Sequence, residues 1–493
     1  MNREEMLSKF CESSFYIGGN NLIEEYCDKI NECDHKICAY DSKMGKEFNK
    51  IRDKMRIFLK KHLELDNVNF LFGAGTSIRL GAISIRDIPD EIEKKIKESD
   101  KLYNEIFIPL VKIFQNHKNY NPGTENHKWK LEKDGSGCNR WKEINDQSEH
   151  RKNIAIPLEE FINFLLSILY IGNFSAEVTI ESTKIDKEGI ERLTYTIKEE
   201  LFKLCDLESL DLNNDYKSNL KYHKKFLKSL LGRPLNLCRA NIFTTNYDLA
   251  LENSFDELGI HYVNGFHGFN DRYFKPEVYN FDMFYPGNTA EGRVRRVEKF
   301  LRYFKLHGSL NWVREEKKAN NIYGLKEYPI KYIRAEYLKD TEKREINIGD
   351  TIIYPTSYKK GYTLDFPYSE LFRQFSASIT QSQSVLFCIG YSFFDEHIND
   401  IIFQALSIPS FSLIIIDKYG NEKIEELKKL NDPRIIIMEG ELLGDFEYFS
   451  DEIMPNFHEL DIEDKISKTL KKLYSENNNL GSEEEWNVRQ RDR

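Results

Sequence analysis

Apolar positions fall into two textures along this chain. Over residues 1 to about 66 they recur at three- and four-residue spacing, as in Phe48, Ile51, Met55, Phe58, Leu59 and Leu63, the period of a helix with one buried face. From about Ile85 to Pro234 long charged helices are predicted, with IPDEIEKKIKESDKLYNEIFIPLVKIF and PLEEFINFLLSILYI the clearest. The polar stretch Asn116 to Asn153 between them, with several Gly and Asn, reads as a long loop. The second texture is short, β-branched and bounded by turn residues. It predicts strands at Val68–Phe72, Ala240–Thr244, Thr351–Tyr354, Ser384–Ile389, Phe411–Ile416 and Arg434–Met438. Helical patterns such as SELFRQFSASIT and EHINDIIFQAL separate several of these strands. Such alternation predicts a parallel sheet with crossover helices, an α/β fold.

Three parts are therefore expected: an N-terminal helical segment over 1–66, a main domain over 67–460 with a helical insertion at about 86–236, and a tail over 461–493. In the tail, KISKTLKKLYS is predicted as a last helix and the final residues as disordered.

Composition narrows the picture. The chain has 493 residues, 40% of them apolar, with 33 Phe and 27 Tyr, which suffices for a sizeable core. Its net charge of −10 disfavours general nucleic-acid binding, because that affinity rests on Lys and Arg neutralising phosphates. RVRRVEK, from Arg293 to Lys299, is the one short basic candidate, and a solvated helix face is the plainer reading of it. Eight cysteines are scattered without a Cys-x-x-Cys pair, so neither a disulfide framework nor a zinc ribbon is indicated. The start, MNREEMLSKF, lacks a signal peptide's apolar core, and no apolar run approaches the roughly 18 residues of a membrane span. A reduced, cytoplasmic protein is expected.

Candidate chemistry sits where strands end. Gly73-Ala74-Gly75-Thr76-Ser77 follows the first strand, and residues that suit a helix start come next. Glycines there let backbone approach a pyrophosphate, and a helix start offers free N–H groups to it. A tight turn that binds nothing is the alternative. Thr244-Thr245-Asn246-Tyr247-Asp248 ends a second strand, at the edge where open parallel sheets collect ligands. The Asn246 amide suits a ribose hydroxyl or a water; helix capping by Asn246 or Asp248 is the alternative. Lys305-Leu306-His307-Gly308-Ser309 sets a histidine, the usual general base near neutral pH, beside a glycine. A second histidine, His267, sits in the similar string Gly265-Phe266-His267-Gly268 and is expected to line or support the same cleft. Gly390 and Ser392 follow the strand SVLFCI, and Asp417 ends LIIID, where an acid suits an adenosine ribose hydroxyl or a plain turn.

Taken in order, VNFLFGAGTSIR, NIFTTNYDLALE and YFKLHGSLNW resemble the sirtuin (silent information regulator two) family, over roughly 66–90 and 236–445. The resemblance implies a Rossmann-like sheet of sirtuin type that binds NAD+ and cleaves its nicotinamide bond. It implies that Gly73, Ala74, Gly75, Thr76 and Ser77 form a phosphate turn. Asn246, Asp248 and Thr245 would face ribose and nicotinamide, His307 would be the base, and Gly390 with Ser392 would touch the dinucleotide. The flanks of His307 resemble the family's catalytic histidine segment more closely than those of His267.

Two departures matter. Deacylating sirtuins carry a zinc module with two Cys-x-x-Cys pairs after the catalytic histidine, whereas here no cysteine lies between His307 and Cys388. Four thiolate ligands are therefore missing, and neither zinc nor any other metal is expected. The family's Gly-Ile-Pro-Asp-Phe-Arg loop is replaced by Gly81-Ala-Ile-Ser-Ile-Arg86.

With these losses the chain looks like the divergent sirtuin-like effectors of bacterial antiphage systems. That likeness implies an NAD+ hydrolase acting in abortive infection. The apolar faces of the N-terminal segment and of the long helices have no evident second domain to cover them, which suggests a homo-oligomer whose contacts come mainly from the helical parts; packing onto their own sheet is the alternative. The likeness also implies a separate sensor such as a HerA-like hexameric ATPase, the chain's length being used up on the enzyme fold. A protein deacylase and a non-catalytic NAD-binding regulatory subunit are the alternatives. The deacylase needs the absent cysteines; the binding subunit has no need of the Asn and His that are present.

Overall fold

The computed structural model describes residues 3–24, 44–83, 87–118, 129–133, 139–143, 158–171, 177–180, 183–210, 215–286, 295–339, 344, 346 and 366–457. The predicted strand at Thr351–Tyr354, the loop residues 84–86 and the tail beyond 457 lie outside them.

In chain order the strands are β1 (Ser14–Ile17), β2 (Asn20–Asn21), β3 (Asn67–Phe72), β4 (Trp129–Lys133), β5 (Asn139–Glu143), β6 (Glu177–Ile180), β7 (Thr183–Asp186), β8 (Asn241–Thr244), β9 (His261–Val263), β10 (Phe266–His267), β11 (Arg272–Phe274), β12 (Phe300–Lys305), β13 (Trp312–Arg314), β14 (Leu325–Glu327), β15 (Ser384–Ile389), β16 (Ser412–Asp417) and β17 (Ile435–Glu439). Nine of them make the main sheet, in the order β2-β1-β17-β16-β15-β3-β8-β12-β9. From β17 to β9 every pairing is parallel. β10, β11, β14 and β13 form a small antiparallel sheet beside it.

The strands read as near-continuous apolar runs because both faces are covered, as parallel sheets require. Alternate residues feed two cores. Phe70, Phe72, Ile242, Phe387, Ile389 and Ile416 point to one, together with Phe226, Phe255 and Phe446 from helices. Leu71, Phe243, Leu386, Cys388 and Ile415 point to the other, under helices Tyr368–Ile379, Glu396–Leu406 and Glu422–Lys429. Asn69, fully buried in β3, locks the register at the amino ends: its Nδ2 donates to Ser384 Oγ at 3.0 Å and its Oδ1 accepts from Asn241 Nδ2 at 2.8 Å.

Several expectations are corrected. The N-terminal segment is not wholly helical, since β1 pairs antiparallel with β17 at the edge of the main sheet. Its helix Met44–Leu63 buries Phe48, Met55, Leu59 and Leu63 in the first core. That apolar face is covered by the chain's own sheet, so it gives no ground for an oligomer contact. Inside the stretch read as a loop, β4 and β5 pair as a hairpin; the alternation in WKLEK was hidden by its charged members. Arg295 and Arg296 are not on a helix face. Arg296 bridges to Phe284 and donates from Nη1 to Leu237 O at 2.8 Å, and Arg295 pairs with Glu298.

The insertion has its own core. Helices Ile88–Lys97, Ile108–Lys118, Leu158–Ile171 and Lys187–Cys205 enclose Phe107, Phe114, Phe161, Leu193 and Ile197. Leu310, Val313 and Ile333 belong to the same cluster, and Tyr247 packs against it. The insertion thus rests on the segments that follow β8 and β12.

Candidate active site

From β3 the chain steps outward through β8 to β12, then returns across β3 to continue through β15, β16 and β17. Strand order therefore reverses between β3 and β15. Ligands of open α/β sheets bind at such a reversal, beyond the carboxyl ends of the strands. The expected site residues all lie at or just beyond the carboxyl ends of five adjacent strands. Gly73–Ser77 follow β3, Thr245–Asp248 follow β8 and His307 follows β12. Gly390 and Ser392 follow β15, and Asp417 closes β16.

The glycine turn differs from expectation. No long helix follows it; two short 3₁₀ turns, Ala74–Thr76 and Ile78–Leu80, end at Gly81 with φ +99°. The glycines serve a second purpose as well. A Cβ on Gly73 would lie 2.4 Å from Gly390 O, and one on Gly390, itself at φ +60°, would lie 2.8 Å from Gly75 Cα. The turns after β3 and β15 pack backbone against backbone, joined by Gly73 N to Ile389 O and Gly75 N to Gly390 O, each 3.0 Å. Thr76 N and Ser77 N donate to Gly73 O and Ala74 O. Most of the turn's amides are therefore engaged, and Ala74 N–H has no carbonyl partner among the described residues.

Asn246 is fixed by that turn. Its Nδ2 approaches Gly73 O at 3.1 Å, Ser77 Oγ at 3.2 Å and Thr76 Oγ1 at 3.3 Å. Only an N–H can face a carbonyl oxygen, so the side chain's orientation is decided and Oδ1 faces away from the turn. Asp248 accepts from Ser77 Oγ at 2.8 Å and from Ala250 N at 3.0 Å. It therefore does part of a helix cap's work while tying the β8 turn to the β3 turn; Asn246 caps nothing. Thr245 N donates to Phe72 O at 3.0 Å.

Lys305 and Glu252 were not singled out in the sequence. Lys305 is 2% exposed, and its Nζ donates to Tyr247 O at 3.2 Å, Asp248 O at 2.5 Å and Glu252 Oε1 at 2.8 Å. Tyr303 donates to the other Glu252 oxygen at 3.1 Å. Burial raises the Glu252 pKa, and Lys305 opposes that rise. A lysine ending the apolar strand FLRYFK was the available signal. Arg79 is a second omission: it pairs with Asp445 at 2.9 Å and Glu447 at 2.5 Å and anchors the chain just past Ser77.

His307 is 5% exposed and stands with Nε2 2.8 Å from Asp395 Oδ2, an ion-pair distance outside hydrogen-bond alignment. Asp395, equally buried, caps helix Glu396–Leu406 by accepting from His397 N and Ile398 N. His267 lies elsewhere, exposed on β10 of the small sheet with its ring edge-on to Phe281. No contact among the described residues joins it to Asn246, Asp248 or His307.

Ser392 and Asp417 flank the β15 side. Ser392 O accepts from Asn421 Nδ2 at 2.8 Å. Asp417 accepts from Gly420 N at 2.7 Å and Tyr419 N at 3.1 Å, the geometry of the plain turn reading. Burial raises its pKa, and those two amides pull it back.

With strand ends, turns and side chains converging in this way, a family comparison decides the coarse reading. Residues 240–436 match the family model of a SIR2-like domain. No curated protein matches the chain. The SIR2-like match begins at β8 and takes in β12, β15, β16 and the start of β17. β3 lies outside it, yet hydrogen-bonds between β8 and β15, so the glycine turn completes the SIR2-like sheet from an earlier part of the chain. A SIR2-like domain is consistent with an enzyme that uses NAD+. Among the described residues no group of three or more His, Cys, Asp or Glu side chains is arranged to hold a metal ion. No described helix is long and apolar enough to cross a membrane.

Proposed function

We propose that this protein hydrolyses NAD+ at the bond between nicotinamide and ribose, releasing nicotinamide and ADP-ribose. The observation that carries this reading is the convergence of the Asn246 and His307 turns beside the β3/β15 reversal, within a SIR2-like match. NAD+ is the substrate, and the donor set suits it. Asn246 Oδ1 faces away from the glycine turn and can accept from a ribose hydroxyl or a water. Ala74 N–H, with Ser392, would bind the phosphates. Asp248 acts by holding Ser77 and the β8 turn in place, and Asp417 acts as a turn former that borders the dinucleotide.

Cleavage passes through a transition state with oxocarbenium character, and nicotinamide leaves as a neutral base. The site must orient the ribose, admit one water and accept one proton. Asn246 orients; His307 accepts the proton from the water or from a ribose hydroxyl. Incubating purified protein with NAD+ and quantifying nicotinamide and ADP-ribose tests the proposal. No product above a buffer blank, alone or with an activating partner, refutes it.

We further propose a role as the NAD+-depleting effector of antiphage abortive infection, gated by assembly and by a separate sensor such as a HerA-like ATPase. Resemblance supports this part, since the apolar helix face that argued for assembly is covered. Cellular NAD+ that stays level during phage infection of cells expressing the protein and its genomic neighbour would refute it.

A further inference from the structure

We infer that Asp395 is the positioning residue of the site: it fixes the His307 imidazole and holds the charge that forms there when the ring takes up a proton. The inference rests on the hydrolase reading for its chemistry and on three observations for its geometry.

The first is the pair itself. His307 Nε2 and Asp395 Oδ2 are 2.8 Å apart, with side chains 6% and 5% exposed. A buried carboxylate that close favours the imidazolium over the neutral ring.

The second is the effort spent on placing Asp395. The turn from β15 runs through two left-handed residues, Gly390 at φ +60° and Phe393 at φ +56°. For a phenylalanine that conformation is strained and persists only where surroundings enforce it. Asn399 Nδ2 donates to Phe393 O at 2.7 Å, and Tyr391 OH donates to Asp395 O at 3.2 Å and to Asn399 Oδ1 at 3.0 Å. The strained turn and its buried bonds deliver one carboxylate beneath one histidine.

The third is the division of labour on that carboxylate. Oδ1 accepts from His397 N at 3.2 Å and Ile398 N at 3.4 Å, while Oδ2 faces His307. The capping role and the histidine-facing role use different oxygens and are separable by substitution. Among the described residues, Phe372 contacts both the His307 and His397 rings, and Lys305 and Asp248 stand on the β12 and β8 side; Glu396 and Asp400 on Asp395's own helix and Glu370 and Arg373 on the helix of Phe372 are further charged groups of these elements. Lys305 is satisfied by Glu252 and two carbonyls.

In hydrolysis the water oxygen bonds to the ribose carbon and the carbon–nitrogen bond breaks, its electron pair leaving on nicotinamide. The water's proton passes to the His307 imidazole and then to solvent. Asp395 stays ionised throughout and acts through the ring.

The test is Asp395→Asn, which keeps a capping oxygen and removes the charge, with Asp395→Ser as a second cap-preserving variant and Asp395→Glu as the charge-retaining one. Turnover should fall about 10²–10⁴-fold in the Asn and Ser variants, with little change in KM. The acid limb of the pH–rate profile should move down by about 1–3 pH units, because the imidazolium loses its counter-charge. Asp395→Glu should recover part of both. Nitrogen-15 NMR titration of His307 reads the same displacement without any turnover, so it stands even if NAD+ is not the substrate. An unmoved His307 titration in every variant, or activity lost only in step with melting temperature, overturns the inference.

Discussion

Lys305 Nζ lies 2.8 Å from Glu252 Oε1 in a buried pair that also draws in the carbonyls of Tyr247 and Asp248. The lysine sits two residues before His307 and its carbonyl targets directly follow Asn246, so one ammonium ties the two turns together. Lys305→Met leaves a buried carboxylate unpaired and should cost about 3–5 kcal/mol. Adding Glu252→Leu should return most of that stability, because well-packed apolar replacements of buried pairs are often neutral. Turnover should stay low in the double variant, since the carbonyls have lost their donor. Urea unfolding beside NAD+ turnover checks this; a double variant as unstable as the single one contradicts it.

Asn246→Ala and His307→Ala should each lower NAD+ turnover by about 10²–10⁴-fold with little change in melting temperature. His267→Ala should remain within a few-fold of wild type, because that ring is exposed on the small sheet. A dead His267→Ala beside an active His307→Ala would mean the wrong histidine has been chosen.

Gly73→Ala puts a Cβ 2.4 Å from Gly390 O, a contact with backbone on both sides. The two turns must separate, at about 1–3 kcal/mol, and Asn246 loses its seat on Gly73 O. Gly81→Ala, whose Cβ would meet nothing within 4 Å, carries only the strain of its φ. Gly73→Ala should therefore lose activity at temperatures where it is still folded, and Gly81→Ala should keep it. Comparable activity in the two variants would argue against turn packing as the reason for Gly73.

How legible the site was differs element by element. β3, β8, β15, β16 and β17 were plain because NFLF, IFT, VLFCI, LIII and IIIM are buried on both faces and carry almost no polar residue. β12 was seen only as part of a motif, because Arg302 and Lys305 interrupt its apolar run, and their partners are residues distant in sequence. β1 was invisible: four residues with one fully buried side chain, Phe15, make no period that stands out beside flanking helices. Helix Met44–Leu63 was read correctly as amphipathic, but a pattern shows that a face is buried and not against what. Gly73 and Gly75 suggested a helix start, and Gly81 stopped the chain after two 3₁₀ turns. Asp395 caps helix Glu396–Leu406, an adequate local reason for an aspartate. Its relation to His307 spans 88 positions that only the fold brings together.

His223 is 2% exposed, its ring against Phe446, and burial holds its pKa down at about 3 instead of the usual 6.5. In the unfolded chain it protonates below about 6.5, while the folded protein keeps it neutral. Stability from this group is therefore whole above pH 6.5 and falls by about 1.4 kcal/mol per pH unit between 6.5 and 3. His223→Leu should remove that component and flatten the acid side of the stability curve. Denaturant midpoints at pH 7 and pH 5 measure it; identical pH slopes for the two proteins would rule it out.

Purified protein should hold no stoichiometric zinc, and chelators should leave NAD+ turnover unchanged, because the cysteines that hold a sirtuin zinc are missing between His307 and Cys388. Metal analysis finding about one tightly held zinc per chain would contradict this and favour the deacylase reading.

The pairing of Ser14 with Glu439 and the spread of site residues from Gly73 to Asp417 bear on how the protein is made. Chains leave the ribosome amino end first. Here β1 has β2 beside it at once but cannot join the main sheet until β17 has emerged, and Asn246 and its glycine turn are made before His307 and Asp395 exist. A growing chain, or one cut short before Asp395, therefore has no complete candidate site. On the proposed reading, in which the protein consumes its own cell's NAD+, the order of synthesis is itself a safeguard.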